Sequence, residues 1–593
     1  MKRMRFFSVL VILLSLNSCG GSGDDEAQSD PNKLVKLEGG KYGGGVLNLN
    51  SIEDYTSLFP ASINDIYSTH IATLGYEGLL RLNQKTLEIE SCVAESYTID
   101  KSKKIYTFKI RKGITFFDDE CFDGGIGREV TATDFKYCFE FLCSNSEYNK
   151  WSSIFRDRLV GANEFLTGKS KEVKGIKVVD EETLEMTLIE PYAGFPHLLT
   201  MAATSVYPKE AIDKYGHAGM QNRIIGCGPF IPSTIENGKN VLFVKNEKYW
   251  RKDEFGNKLP FLNQVAISFI KDKNEELQAF KDEKLDMVWG IPVEEVQNIM
   301  GTLEEAKDGK NTEFEVQSIN SLNIQYYGFL NSSEVFKDVR VRKAFNYAID
   351  RDSLVDFILL GEGIPAHNGF VPEMKGYPSR SVKGFDFDLT LAKKLMAEAG
   401  YPGGKGFPEV TLNLNASGGI NEKVAAALTG MLNENLGINI ALKLMPMSEL
   451  HPKVEKGQVD FWRFGWIADY PDPSNFLYLF HSKNIGAPNE ASVNYFRYSN
   501  PLFDKMYEAS LKEIDYDKRM ALYALADQIL MDDAVIMPLY FNLDIRLIDP
   551  NLKDFDINEM QYQDLAVVYY KMESKANKEN VRVYENLAPE EGQ

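Results

Sequence analysis

The sequence predicts an α/β protein built of several lobes, and three observations predict it. The 593 residues, 44% hydrophobic and 12% aromatic, exceed what one core fills, since single cores stop growing near ~250–300 residues. Between Tyr76 and Thr200 the chain reads as short strands and loops around one helix. From about Leu322 onward, apolar positions alternate between helical and strand periods, which is the pattern of an α/β unit.

The chain opens with Lys2, Arg3 and Arg5, followed by the apolar run Phe6 to Leu16. That run is too short to span a bilayer and has the layout of a secretory signal. It ends in Leu16-Asn17-Ser18-Cys19-Gly20, which resembles the lipobox of bacterial lipoproteins. The expectation is a signal over residues 1–19, with Cys19 as the lipidated residue. Several acyl chains on one residue anchor firmly, because each buried methylene contributes about 0.8 kcal/mol. Residues 20–45, rich in Gly, Ser, Asp and Lys, read as a flexible tether that includes Gly43-Gly44-Gly45. No later segment has eighteen consecutive apolar residues.

In the body, Tyr106 to Ile110 alternates as a strand, and Thr131-Ala-Thr-Asp134 opens a helix with a capping box. Thr183 to Leu188 alternates again before Pro191. Strands follow at Val241 to Val244 and Val265 to Ile270, with a helix near Glu275 to Asp282. Beyond Leu322, Val341, Phe345, Ala348 and Ile349 form the apolar stripe of a helix capped by Asp338. Leu391, Leu395 and Met396 do the same for a helix ending at Gly400, with Pro402 just past it. A helix from Glu422 stops at Gly437. Ile438, Ile440, Leu442 and Leu444 then alternate as a strand with an expected core face. The last helix covers roughly Asp517 to Met531 and runs into the apolar segment Ala534 to Phe541.

The formal net charge of −20 argues against a nucleic-acid surface or a basic membrane patch. Enzyme signatures are missing: there is no G-x-S-x-G elbow and no H-E-x-x-H pair, and no two of the six histidines sit at helical ligand spacing. With Cys19 acylated, Cys92, Cys121, Cys138, Cys143 and Cys227 remain. An odd number leaves at least one thiol unpaired within the chain, and the spacings fit no zinc pattern. The expectation is no catalysis, no metal and no cofactor.

One stretch concentrates the chemistry: Val459 to Phe476, VDFWRFGWIADYPDPSNF. It places Arg463 and Asp469 at the two ends of a short apolar run. Six extended steps separate the charges by about 20 Å. That is too far for an ion pair but suits a ligand charged at both ends. The residues alone also fit a buried strand with Trp462, Phe464 and Trp466 packed inside. In that reading Asp469 braces the turn at Tyr470-Pro471 and Arg463 pairs with a carboxylate such as Asp460. Asp472-Pro473 already supplies the start of a helix near Ser474, so capping does not require Asp469.

Trp466-Ile-Ala-Asp469-Tyr-Pro-Asp-Pro-Ser-Asn-Phe-Leu resembles the hallmark of the large dipeptide- and oligopeptide-binding proteins that serve ABC importers. Further modules in the same order are similar to that family: Tyr76-Glu-Gly-Leu-Leu80; Tyr106 to Gly113 with Thr131 to Phe135; Asp338 to Ala344 with Asp350-Arg-Asp352; and Ala397 to Tyr401. Scattered in order over about Tyr42 to Ile548, they span most of the mature chain. The resemblance implies a periplasmic-binding-protein-like α/β fold, with two large lobes joined by a hinge and an inserted extra domain, three domains in all. The implied boundaries are 46–76, 205–322 and 541–585 for a discontinuous domain I, 77–204 for the inserted domain II, and 323–540 for the α/β domain III.

It also implies site roles. Asp469 binds a peptide's free amine, and Arg463 takes the carboxylate for one ligand length. Gly465 to Ile467 pair with the peptide backbone, with Asn64 to Ile66 opposite, and Trp466 serves as a pocket wall. Residues Asp118 to Val130, longer than the family's usual turn, set the far end of the cleft apart. The implied function is a monomeric, lipid-anchored receptor on the periplasmic side, delivering oligopeptides to ABC permease subunits, with no nucleic-acid partner. The same fold also serves nickel, haem and sugar receptors, and a sensory or adhesion lipoprotein without transport is a third reading.

Overall fold

The computed structural model describes residues 30–292, 295, 314–415 and 419–571. The signal segment 1–19 with Cys19, and the first part of the tether, lie outside the described residues.

Two lobes emerge from where the apolar side chains can close. In the first, four strands run Phe230–Glu236, Asn240–Lys245, Gln264–Ser268 and Val46–Asn50 in spatial order, the last pair parallel. A second four-stranded antiparallel sheet comprises Ala94–Ile99, Ile105–Ile110, Thr183–Thr187 and Ile176–Asp180. Helix Ala132–Leu142 contacts its last two strands. The capping box is formed: the Thr131 amide and hydroxyl both donate to Asp134. One continuous core joins both sheets, running from Leu47 and Phe59 through Phe108, Phe135 and Leu184 to Tyr570. The two sheets of this lobe therefore share one core.

The second lobe is built on an eight-stranded mixed sheet, in which Asn323–Phe329 lies between Ile536–Ile548 and Phe461–Ile467. Val410–Asn415 and then Ile440–Met445 extend it outward. Helices Val339–Tyr347, Leu389–Glu398 and Ile420–Leu436 occupy the expected places. Asp338 accepts the Arg340 amide, and Gly437 ends the third helix at φ 69. One expected core face is corrected: Ile440 is buried, but Leu442 and Leu444 are 44% and 49% exposed. Their strand is the outer edge of the sheet, with one neighbouring strand.

The two lobes share one long strand. Ile536–Tyr540 pairs with Asn323–Phe329, while Leu543–Ile548 pairs with Glu315–Asn320. The chain thus passes between lobes through Asn320–Asn323 and through this strand, a hinge-like arrangement. Across the gap, the Ala193 amide donates to the Leu511 carbonyl at 2.9 Å, and Lys375 meets Glu88 at 2.5 Å.

Residues 30–45 are not a free tether. Val35–Lys36 pairs with Tyr42–Gly43, and the Gly44 and Gly45 amides donate to the Phe261 and Pro31 carbonyls. Gly44 and Gly45 adopt φ +113 and +91, and a Cβ on Gly44 would lie 2.2 Å from the Lys33 carbonyl oxygen. The glycines serve close packing here, not flexibility. The five described cysteines are all unpaired; Cys138 instead packs against Tyr207, with Sγ 3.4 Å from its carbonyl.

Candidate ligand-binding site

Strand Phe461–Ile467 has two unlike faces, as its period of two requires. Trp462 and Phe464 are buried in the second lobe's core, each contributing ~1.5–3 kcal/mol by burial. Trp462 lies over Gly328, where a Cβ would come within 2.3 Å of Cε2. The opposite face carries Arg463, Gly465 and Ile467. Ile467 is 62% exposed.

Along one edge the strand pairs fully with Asn323–Phe329, from Asn323 opposite Ile467 to Phe329 opposite Phe461. Along the other edge it meets Val410–Asn415 only at Phe461 and Trp462. From Arg463 to Ile467 this second edge has no strand partner among the described residues. Its backbone donors and acceptors remain available to an added strand.

Two cavities flank the strand's end. The first, ≈ 410 Å³, sits at the hinge and is lined by Ile66, Ile467, Ala468, Asn323 and Asp544 among others. The second, ≈ 400 Å³, lies between the lobes and is lined by Asp469, Tyr470, Asn475 and Tyr478 from one side and by Arg158 and Tyr192 from the other. Residues 118–130 line neither. That loop is pinned elsewhere, by Arg128 to Glu210 and Asp134 and by Asp118 to Lys248.

Asp469 is held on both sides by one residue. Its amide donates to Asn475 Oδ1 and its Oδ2 accepts from Asn475 Nδ2, both at 3.2 Å. No cation among the described residues forms an ion pair with it. Burial pushes its carboxyl up to about 6, and the Asn475 hydrogen bond opposes the shift. An unneutralised carboxylate facing a cavity favours a cationic guest.

Trp466 does not line either cavity. Its indole nitrogen donates to the same Asn475 Oδ1 at 3.0 Å, and its ring meets Tyr478 edge-on at 5.6 Å. Its part is to fix Asn475, which in turn fixes Asp469. Arg463 also lies outside both cavities. It donates to Asn415 Oδ1 at 3.2 Å and to Gln325 Oε1, and Asp460 forms no ion pair with it. Gly465 sits where a Cβ would crowd Gln325 at 2.8 Å.

On the facing lobe, Asn64 is exposed and Ile66 is the first residue of helix Ile66–Ala72, capped by Asp65. The extended backbone on that side therefore stops at Asp65, and Ile66 offers a side chain to the hinge cavity. The site thus brings Ile66 and Ile467 to one cavity and Asp469 to the other, while Arg463 stands apart. Sequence reasoning missed Asn475, Tyr478 and Arg158. Asn475 carried one signal, its place in the Trp466-to-Leu477 stretch; Arg158 carried none, because only folding brings it to the cavity.

Comparison with known proteins accords with this architecture. A sequence profile described as "Bacterial extracellular solute-binding proteins, family 5 Middle" matches residues 88–487. The oligopeptide-binding protein OppA of Bacillus subtilis is 29% identical over 558 residues, covering 92% of this chain and 95% of that protein. The periplasmic OppA of Escherichia coli is 29% identical over 511 residues, covering 84% and 88%. The solved structure of the ABC transporter-associated periplasmic binding protein DppA from Helicobacter pylori, in complex with the peptide STSA, superposes with a TM-score of 0.73 at 23% identity. It covers 90% of this chain and 99% of that one. The fold is thus the two-lobed α/β fold of periplasmic peptide-binding proteins, and the family is one of solute receptors, not of enzymes. With two thirds of its length matched by one profile, the chain belongs to the bacterial extracellular solute-binding proteins of family 5.

Proposed function

We propose that this protein is a lipid-anchored extracytoplasmic receptor that captures oligopeptides between its lobes and hands them to an ABC import permease. Asp469 takes the peptide's free amine. The peptide backbone adds along the open edge from Arg463 to Ile467, with Asn64 facing it. Arg463 is the carboxylate partner for one ligand length, Cys19 carries the acyl chains, and the receptor acts as a monomer.

One observation carries the reading: among the described residues, a carboxylate without a cationic partner stands at the end of a strand edge without a strand partner. An ammonium group satisfies the first, and an extended main chain satisfies the second. The backbone offers the same donors and acceptors whatever the side chains, so such a site tolerates many sequences. Ordered water adapts the side-chain pockets.

Calorimetry with a free tripeptide and its N-acetylated form tests this. Acetylation removes the ammonium and should abolish measurable binding. Equal affinity for the two forms would refute the role of Asp469.

A further inference from the structure

The interlobe cavity holds a second charge that amine binding leaves unused. Arg158 enters it from the first lobe. Its Nη1 donates to the carbonyls of Ser153 and Ile154, at 2.9 and 3.3 Å, and its guanidinium lies 5.3 Å from the Tyr192 ring centroid. Tyr192 is tied in turn to the Tyr470 hydroxyl at 3.2 Å. The head group is thus held in place without a carboxylate; no ion pair to it forms among the described residues.

The other charges around the cavity are mostly neutralised by neighbours. Arg156 pairs with Asp157, Glu190 with Lys104, and Lys483 with Glu508, which also lies 3.2 Å from His481 Nε2. Lys512 is exposed at the surface. Asp469 and Arg158 remain, one negative and one positive, in one cavity. They do not neutralise each other, since no ion pair joins them, and the Tyr478 phenol stands within electrostatic reach of both. A guest that brought only an ammonium and shut out water would leave the guanidinium facing carbonyls and phenols between the lobes. Uncompensated burial of that kind is costly. A carboxylate there would make charge-assisted, fork-shaped hydrogen bonds.

We propose that this cavity selects peptides with an acidic first residue, Asp469 holding the α-ammonium and Arg158 the side-chain carboxylate of an amino-terminal glutamate or aspartate. The proposal rests on the reading of Asp469 as the amine ligand and names the class of peptide it prefers.

The test is calorimetry on the full-length receptor freed of carried ligand, comparing Glu-Ala-Ala with Gln-Ala-Ala. The two differ by one charge at nearly constant shape. The glutamate peptide should bind about tenfold or more tightly, as expected for a hydrogen bond to a charged group. In Arg158→Gln the ratio should fall toward one, and in Arg158→Lys part of it should persist. Equal affinity of the two peptides for the unaltered receptor overturns the proposal and leaves the peptide-receptor reading standing. That comparison decides even if a variant fails to fold. Binding of Glu-Ala-Ala that survives N-acetylation overturns the role of Asp469 itself.

Discussion

Replacing Asp469 by Asn removes the one charge the proposed amine site depends on, and its effect on pH dependence is specific. The carboxyl sits at about 6 in the empty receptor, raised by burial from an ordinary value of 3.8. Its folded value lies above its unfolded one. It therefore contributes stability that is fully present below about pH 4 and is lost as pH rises through about 6. A peptide ammonium requires the ionised form. At pH 5 about nine-tenths of empty receptors must first release this proton, so affinity should be about tenfold weaker than at pH 7.5. Near pH 6 binding should expel about half a proton, measurable by calorimetry in two buffers of different ionisation enthalpy. Asp469→Asn should lose this pH dependence between 5 and 7.5. At pH 7.5 it should also weaken binding by about 2–5 kcal/mol, the range for truncating one partner of a buried charge pair. An unaltered receptor whose affinity is flat across that range would refute the reasoning. So would an Asn variant that keeps the slope.

The remaining predictions concern the supports of the site. Asn475→Ala deletes the acceptor shared by the Asp469 amide and the Trp466 indole and the donor to Asp469 Oδ2. It should lower stability in urea by about 1–3 kcal/mol and weaken peptide binding as well; loss of neither would contradict the positioning role. Asp286 is buried, accepts the Asn48 amide at 2.6 Å and its side-chain nitrogen at 3.0 Å, and is raised by burial to about 7. Its stabilising contribution is present below about pH 4 and lost as pH rises through about 7. Asp286→Asn should accordingly flatten the fall in stability between pH 5 and 8, by roughly 2–4 kcal/mol over that interval. Thermal unfolding of both proteins across the range checks it.

Several parts of the site were legible in linear order because local physics fixes them. The caps at Thr131 and Asp338 and the stop at Gly437 follow from short-range hydrogen bonding and backbone freedom. Strand Phe461–Ile467 follows from alternation, and its proposed role as a peptide-reading segment from the resemblance. Leu442 and Leu444 failed the same rule, since alternation shows that a strand has an apolar face but not whether a helix covers that face. Ile66 falls in an expected extended segment, yet Asp65 caps a helix starting there, a local signal that the expected pairing obscures. The tether reading failed at Gly44 and Gly45 because their Gly-rich composition fits a mobile linker and a tightly packed turn alike.

The sequence by itself determined the element types, the charge at each end of the Arg463–Asp469 run and the absence of familiar catalytic motifs. All of these depend on residues within a few positions of one another. Only the tertiary structure decided that, among the described residues, Asp469 has no cation in an ion pair and the Arg463-to-Ile467 edge no strand partner, and that Arg158 shares the Asp469 cavity. Each of these is a relation between segments far apart in the chain. The cost of burying a charge or leaving a backbone edge unpaired is set by what folding places beside it.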